Sequence, residues 1–167
     1  MRKSPDAAGA PTALTIAPAA AADLGPVLDL LRRSRLPEVG LADHIGSTVV
    51  AKDRDRVVGS AALELYGTAA LLRSVAVDER LRGNGVGRRL TESALDLARS
   101  HGVRAVYLLT ETAPTFFARL GFTRIERDAV DPAVRQSVEF TSACPSSATA
   151  MRLSLESEGS ADPARPA

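Results

Sequence analysis

Three glycines within six residues, Arg82-Gly83-Asn84-Gly85-Val86-Gly87, separate an apolar run ending Val75-Ala76-Val77 from a segment whose apolar residues Val86, Leu90, Ala94, Leu97 and Ala98 recur at helical spacing. A strand that passes through such a loop into a helix leaves the first N–H groups of the helix unpaired and its positive dipole end facing the loop. That junction attracts an anion, and a phosphate group suits it. Glycine lets the main chain approach the anion closely and lets the turn take positive φ. Spacing excludes two phosphate-binding patterns. The P-loop requires a Gly-Lys-Ser/Thr ending, which is absent. The dinucleotide fingerprint requires a third glycine where Arg88 or Leu90 stands and a glycine directly after the strand, whereas residues 78–82 intervene. What remains is Arg-x-x-Gly-x-Gly at a strand-to-helix junction.

The flanking sequence predicts an α/β (α+β) domain with a mixed central sheet of about seven strands and helices on both faces. Strands are expected at 14–16, 48–51, 57–65 and 70–77, the last three joined by short turns and therefore antiparallel neighbours. The helix that follows the glycines is expected to stop at His101-Gly102, with Gly102 suited to a left-handed cap. A nearly continuous apolar run at 103–109 reads as a strand laid parallel to its predecessor through that crossover helix. Further strands are expected at 122–126 and 148–155. Asp23 is expected to cap a helix carrying Val27, Leu28, Leu30 and Leu31 before Pro37, and Thr112 a second crossover helix with Pro114 in its first turn. A short helix is signalled by Asp131-Pro132.

With 167 residues, 45% of them apolar, the chain can bury one core. The domain is expected at 12–156, with disordered tails at 1–11 and 157–167. Twenty-one basic against 20 acidic side chains give no electrostatic case for nucleic acid or a membrane surface, so the expected partner is a small molecule. A single cysteine cannot form an internal disulfide, no apolar run is long enough to span a bilayer, and the start does not read as a signal peptide. A reducing cytoplasm is the expected location. His44 and His101 are too isolated for zinc, and no metal is expected.

The glycine segment in this setting resembles the pyrophosphate loop of the GCN5-related N-acetyltransferase (GNAT) superfamily. The pattern Ala113-x-x-Phe116-Phe117-x-x-x-Gly121-Phe122 is similar to that family's second motif, and the order of elements agrees over roughly residues 12–155. A closer similarity is to the arsenic-resistance N-acetyltransferases, in Leu71-Leu72-Arg73-Ser74-Val75-Ala76-Val77, Tyr107-Leu108-Leu109-Thr110, Glu139-Phe140, Cys144-Pro145 and Met151. Similar pieces occur in N-acetylglutamate synthase domains. The resemblance implies an acetyl-coenzyme A-dependent N-acetyltransferase acting on a small amine, amino-acid-like or an organoarsenical toxin, in a detoxification role, with a second copy of the chain as a candidate partner. Two other readings are a coenzyme-binding regulatory domain without turnover and a protein N-acetyltransferase.

The resemblance also implies residue roles. Val75, Ala76 and Val77 offer main-chain groups to the pantetheine arm. The amides of Arg82, Gly83, Asn84, Gly85, Val86, Gly87 and Arg88 hold the pyrophosphate, with Thr112, Phe116 and Phe117 completing the coenzyme wall. In that family the thioester oxygen takes an N–H from a bulged strand before the glycine loop, which makes the Val75 amide the candidate oxyanion donor. The tyrosine that often serves as general acid is replaced by Phe117, and Thr110, Thr112, Tyr107 or water could stand in. Glu64 or Glu111 could take the ammonium proton; Glu64 could equally form a cross-strand ion pair with Arg73. Arg73, inside an apolar strand, requires either that counter-ion or an open cleft in which to bind a substrate carboxylate. Ser74, Thr110, Glu139 and Cys144 are the remaining candidates for the acceptor pocket. For the last two a plain structural role is the alternative.

Overall fold

The computed structural model describes residues 14–143 and 145–155. Its strands are β1 Leu14–Pro18, β2 Thr48–Asp53, β3 Arg56–Tyr66, β4 Ala69–Val77, β5 Ala105–Thr110, β6 Thr123–Ile125 and β7 Thr149–Ser154, and its α-helices are α1 Leu24–Arg33, α2 Val86–Ser100 and α3 Pro114–Arg119. The strands form one mixed sheet in the order β1-β2-β3-β4-β5-β7-β6. The first four are antiparallel neighbours, β4 and β5 are parallel, and β7 runs antiparallel to both β5 and β6. This is the seven-stranded sheet expected from the sequence.

Period-two alternation sorts the strand residues between two faces. Val49, Ala51, Val58, Ala61, Leu63, Ala70 and Leu72 pack with Val86, Leu90, Ala94 and Ala98 of α2. Val50, Val57 and Ala62 meet Val27, Leu30 and Leu31 of α1 on the other face. On that same face, Val130 and Val134 of the β6–β7 connection cover Leu71, Tyr107 and Ala150. Each fully buried leucine or valine contributes about 1.5–3 kcal/mol, so the two stripes fix the sandwich of helix, sheet and helix.

One irregularity redirects β4. Ser60 pairs with Ala76 and Ala62 with Arg73, so Ser74 and Val75 together oppose Ala61 alone. Ser74 takes a left-handed conformation (φ 59°), and its carbonyl accepts a hydrogen bond of 2.7 Å from Ser60 Oγ. The extra residue inverts the facing of everything after it. Ala70 and Leu72 lie on the α2 face before the bulge. Beyond it, Val75 and Val77 take that face and Ala76 passes to the α1 side.

Two capping expectations are corrected. Asp23 precedes α1 without capping it, because its carboxylate accepts the Ala20 N–H at 2.7 Å and pairs with Lys52 Nζ at 3.0 Å. Thr112 does not cap α3; Ala113 holds that position, and Thr110 Oγ1 accepts the Ala113 N–H at 3.0 Å. The helix signalled by Asp131-Pro132 is a 3₁₀ turn, Val134–Gln136, with Asp131 Oδ1 accepting the Ala133 N–H. Cys144 and the tails at 1–11 and 157–167 lie outside the described residues. No helix among the described residues is long and apolar enough to cross a membrane.

Candidate active site

β4 and β5 are paired over only three positions, Ala69, Ala70 and Leu71 with Ala105, Val106 and Tyr107. Beyond them the two strands part around a cavity of about 1080 Å³. Residues 72–77 of β4 form one wall and 108–112 the other, with Phe116 and Phe117 of α3 and the glycine loop between them. Of the residues singled out from the sequence, Arg73, Ser74, Val75, Ala76, Val77, Arg82, Gly83, Gly85, Gly87, Arg88, Thr110, Glu111, Thr112, Phe116, Phe117 and Glu139 line this cavity. Glu64, Asn84 and Val86 do not. Val86 packs into the core, and Asn84 donates from Nδ2 to the Leu81 carbonyl at 3.2 Å.

The loop leaves main-chain donors free at the start of α2. Gly83 and Gly85 have φ of 87° and 81°, and Gly85 is the N-cap of α2. The Arg89 N–H donates back to the Gly85 carbonyl at 3.1 Å, which leaves the amides of Val86, Gly87 and Arg88 in the first turn without intrahelical acceptors. A Cβ on Gly87 would lie 3.4 Å from Phe116 Cζ and 3.6 Å from Val77 Cγ2, filling the gap between them. The base of the loop is tied to β4 by Arg82 Nε, which donates to the Val77 carbonyl at 2.9 Å. Asp78 accepts the Arg80 N–H at 3.0 Å. Burial pushes the Asp78 carboxyl up, but the hydrogen bonds from Arg80 and the nearby arginine charges outweigh it and hold the group below its ordinary value.

Behind the bulge lies a buried charge cluster. Arg73 donates from Nη1 to Glu64 at 2.8 Å, from Nη2 to the Val39 carbonyl at 2.8 Å and from Nε to Ser74 Oγ at 3.1 Å, and Nη2 lies 3.3 Å from Glu139. Its side chain has no exposed area. The ion pair with Glu64 is thus present, and it runs diagonally across the ladder: Glu64 stands opposite Leu71 and Arg73 opposite Ala62. Burial raises the Glu64 pKa, yet hydrogen bonds from Tyr66, Arg73 and Ser137 and the neighbouring His44 lower it further, leaving it below the usual carboxylate value. Glu111 is exposed at the cavity wall. Phe117 is buried, edge-on to Phe116 and Phe122. Tyr107 faces away, packed with Val130 and Val134 and approached by Arg152.

The sequence reading missed three features. Ser74 and Arg35 adopt left-handed backbone conformations without glycine's freedom, and Arg35 also lines the cavity. The third is the turn Glu139–Ala143, a π-helix that brings Glu139 to Arg73.

A cleft between parted parallel strands, ending at unpaired helix amides, has the shape to admit a long phosphorylated carrier with its far end at the bulge. Residues 44–124 match the family described as acetyltransferase (GNAT) domain. It is 36% identical over 89 residues to an uncharacterized N-acetyltransferase, CT2212, of Chlorobaculum tepidum, covering 53% of this chain and 57% of that protein. It is 42% identical over 73 residues to the amino-acid acetyltransferase of Mycobacterium tuberculosis, covering 42% of this chain and 41% of the other. The chain therefore spans about half the length of these curated relatives. Among solved structures, Rv2747 of Mycobacterium tuberculosis, in complex with CoA, superposes with a TM-score of 0.69 at 25% identity, over 85% of this chain and 99% of that one.

Proposed function

We propose that this protein transfers the acetyl group of acetyl-CoA to the amine of a small, amino-acid-like molecule. The observation that carries the proposal is the cleft itself: β4 and β5 part beside a helix N-terminus whose amides are unpaired and whose glycines leave room for a pyrophosphate. The similarity to an amino-acid acetyltransferase supports an acceptor of that class. The resemblance of residues 71–77 and 107–110 to the arsenic-resistance N-acetyltransferases adds organoarsenical amino-acid analogues to the acceptors worth testing. Dependence on acetyl-CoA fits action in the cytoplasm.

When bound, acetyl-CoA supplies a thioester carbonyl and a thiol leaving group. In this reading the amides of residues 83–88 hold the pyrophosphate, the Arg82 N–H being donated to the Glu79 carbonyl at 3.3 Å, and Val75 and Val77, turned to the α2 face by the bulge, flank the pantetheine arm. The Val75 N–H, beside the unpaired bulge position, is the donor for the developing oxyanion; a single such donor is worth about 10²–10³ in kcat. Glu111 lines the cavity and takes the proton of the acceptor ammonium, directly or through water. Glu64, already accepting from Arg73 and Tyr66 and held below its ordinary pKa, serves as a structural anion. Phe117 offers no proton. Thr110 Oγ1 accepts the Ala113 N–H and keeps its own hydroxyl proton, which it can donate to the departing sulfur. A thiol pKa of roughly 8.5 makes the thiolate a tolerable leaving group without an acid.

Two measurements test this. Acetyl-CoA is expected to raise the thermal midpoint, and free thiol is expected to appear faster when amino acids are added. A midpoint unmoved at millimolar acetyl-CoA would rule out the coenzyme site. Binding with no acceleration by any amine would favour the regulatory reading instead.

A further inference from the structure

We propose that Arg35 recognises the acceptor through a carboxylate, so that the substrate is an α-amino acid or a close analogue and not a simple amine. The inference rests on the acyl-transfer reading above and names the acceptor class for that same site. Four arginines line the cavity: Arg35, Arg73, Arg82 and Arg88. Arg73 is enclosed by Glu64, Glu139, Ser74 and the Val39 carbonyl. Arg82 is turned onto the Val77 carbonyl, and Arg88 pairs with Glu92 at 3.1 Å. Both stand at the glycine loop, on the coenzyme side. Arg35 enters from α1, on the opposite face of the sheet, is exposed, and has no side-chain partner among the described residues.

The backbone at Arg35 gives an independent observation. All three α-helices end with the same closure, an N–H donating five residues back: Leu36 to Leu31, Val103 to Ala98 and Phe122 to Phe117. In each, the residue before that donor is left-handed. It is Gly102 (φ 78°) after α2, Gly121 (φ 103°) after α3, and Arg35 (φ 60°) after α1. Glycine suits this position because it lacks the Cβ that the left-handed region disfavours. The one helix end that borders the cavity carries a guanidinium there, at a conformational cost glycine would avoid. Strain of this kind, at a side chain facing a ligand cleft, points to a use for the side chain. A planar fork with free N–H groups fits a carboxylate.

The test compares wild type with Arg35→Gly and Arg35→Lys. Thiol release from acetyl-CoA is followed with a panel of standard amino acids, and for the best of them with its carboxamide and its decarboxylated amine. Arg35→Gly is expected to raise the amino acid's apparent KM about 10–100-fold, as loss of a charge-assisted hydrogen bond does, while kcat and the acetyl-CoA KM stay within about twofold. The carboxamide is expected to be a poor acceptor of wild type and indifferent to the substitution. Arg35→Lys is expected to recover part of the loss. The thermal midpoint of Arg35→Gly is expected to be unchanged or higher, which separates a binding role from a structural one. A KM increase shared equally by acid and carboxamide, an effect confined to acetyl-CoA, or a wild-type preference for amines lacking a carboxylate would each overturn the assignment while leaving acetyl transfer intact. Absence of acetyl-CoA binding by wild type would bring down both.

Discussion

The Arg73 guanidinium is enclosed by its partners, with no exposed side-chain area, and the residues around it inherit its constraints. Removing one partner of a buried pair costs about 3–5 kcal/mol, because the other charge stays behind uncompensated. Glu64→Gln is therefore expected to lower unfolding stability at neutral pH by about that much, measured by urea titration, with Glu139 holding the loss toward the lower end. The same variant reports on pH. Glu64 has a pKa below its ordinary value in the fold, so the unfolded chain binds its proton more readily. Its contribution is complete above the ordinary carboxylate range and is lost as the pH falls through the lowered folded value. Wild type is expected to lose stability on that acid limb, and Glu64→Gln to lose less. Tyr66 acts at the other end. Burial first, and then the Glu64 hydrogen bond and charge, push it up to about 12. Its neutral form is favoured in the fold, so its contribution is full below the unfolded value of about 10 and disappears as the pH rises toward about 12. Tyr66→Phe should flatten this alkaline loss in the same titration; an unchanged slope would refute the coupling.

At the level of elements, the bulge in β4 and the glycine turn into α2 do different work and should fail differently. Ser60→Ala removes the hydroxyl that holds the Ser74 carbonyl, at a cost of about 1–3 kcal/mol for a buried acceptor left unpaired. Because that bond fixes where Val75 presents its amide, kcat is expected to fall while the acetyl-CoA KM changes little. Gly87→Val should do the reverse. Its side chain would press on Phe116 and Val77 at the cavity floor, so acetyl-CoA binding by calorimetry should weaken at least tenfold with unfolding stability nearly kept. Equal loss of binding and folding would mean the cradle is part of the core. The two elements were unequally legible. The glycine loop and α2 could be read because glycine spacing and a 3.6-residue apolar period are local signals. The bulge came only with the family resemblance and not from the residues themselves, since it depends on a serine in a left-handed conformation held by a hydroxyl fourteen residues away, and no composition rule marks such a pair. Arg35 escaped for the same reason: the expected signal for that backbone is glycine. Thr112 misled as a cap because Thr110, two residues earlier, sits at the strand end and reaches the Ala113 amide first. For Arg73, the sequence left ion pair and open cleft equal. The choice turned on ladder register and on the π-helical turn that delivers Glu139, both long-range matters.

The whole molecule is two sheet segments joined by a short seam. β1 to β4 share long antiparallel ladders, interrupted by the bulge in β4 and by a register shift between β2 and β3, with α1 and α2 packed across them, and β5, β7 and β6 form a second ladder with α3; between β4 and β5 only three positions pair. Side chains of both segments meet in one apolar core, so with few backbone bonds shared across the seam it is that packing, and any ligand in the cleft, that opposes opening of the second segment. A ligand lying in the cleft touches both segments, so its binding energy opposes that opening as well as global unfolding. At 100 times its dissociation constant, acetyl-CoA should stabilise the protein by about 2.7 kcal/mol, roughly 5–11 °C in thermal midpoint. The distribution of that gain distinguishes a cleft ligand from a surface one. Native-state hydrogen exchange should show β5 and β7 amides exchanging faster than those of β3 in the free protein, and gaining the larger protection on adding acetyl-CoA. If protection instead rose only at the glycine loop, with β5 and β7 unchanged, the coenzyme would be gripping α2 alone and would not be holding the two segments together.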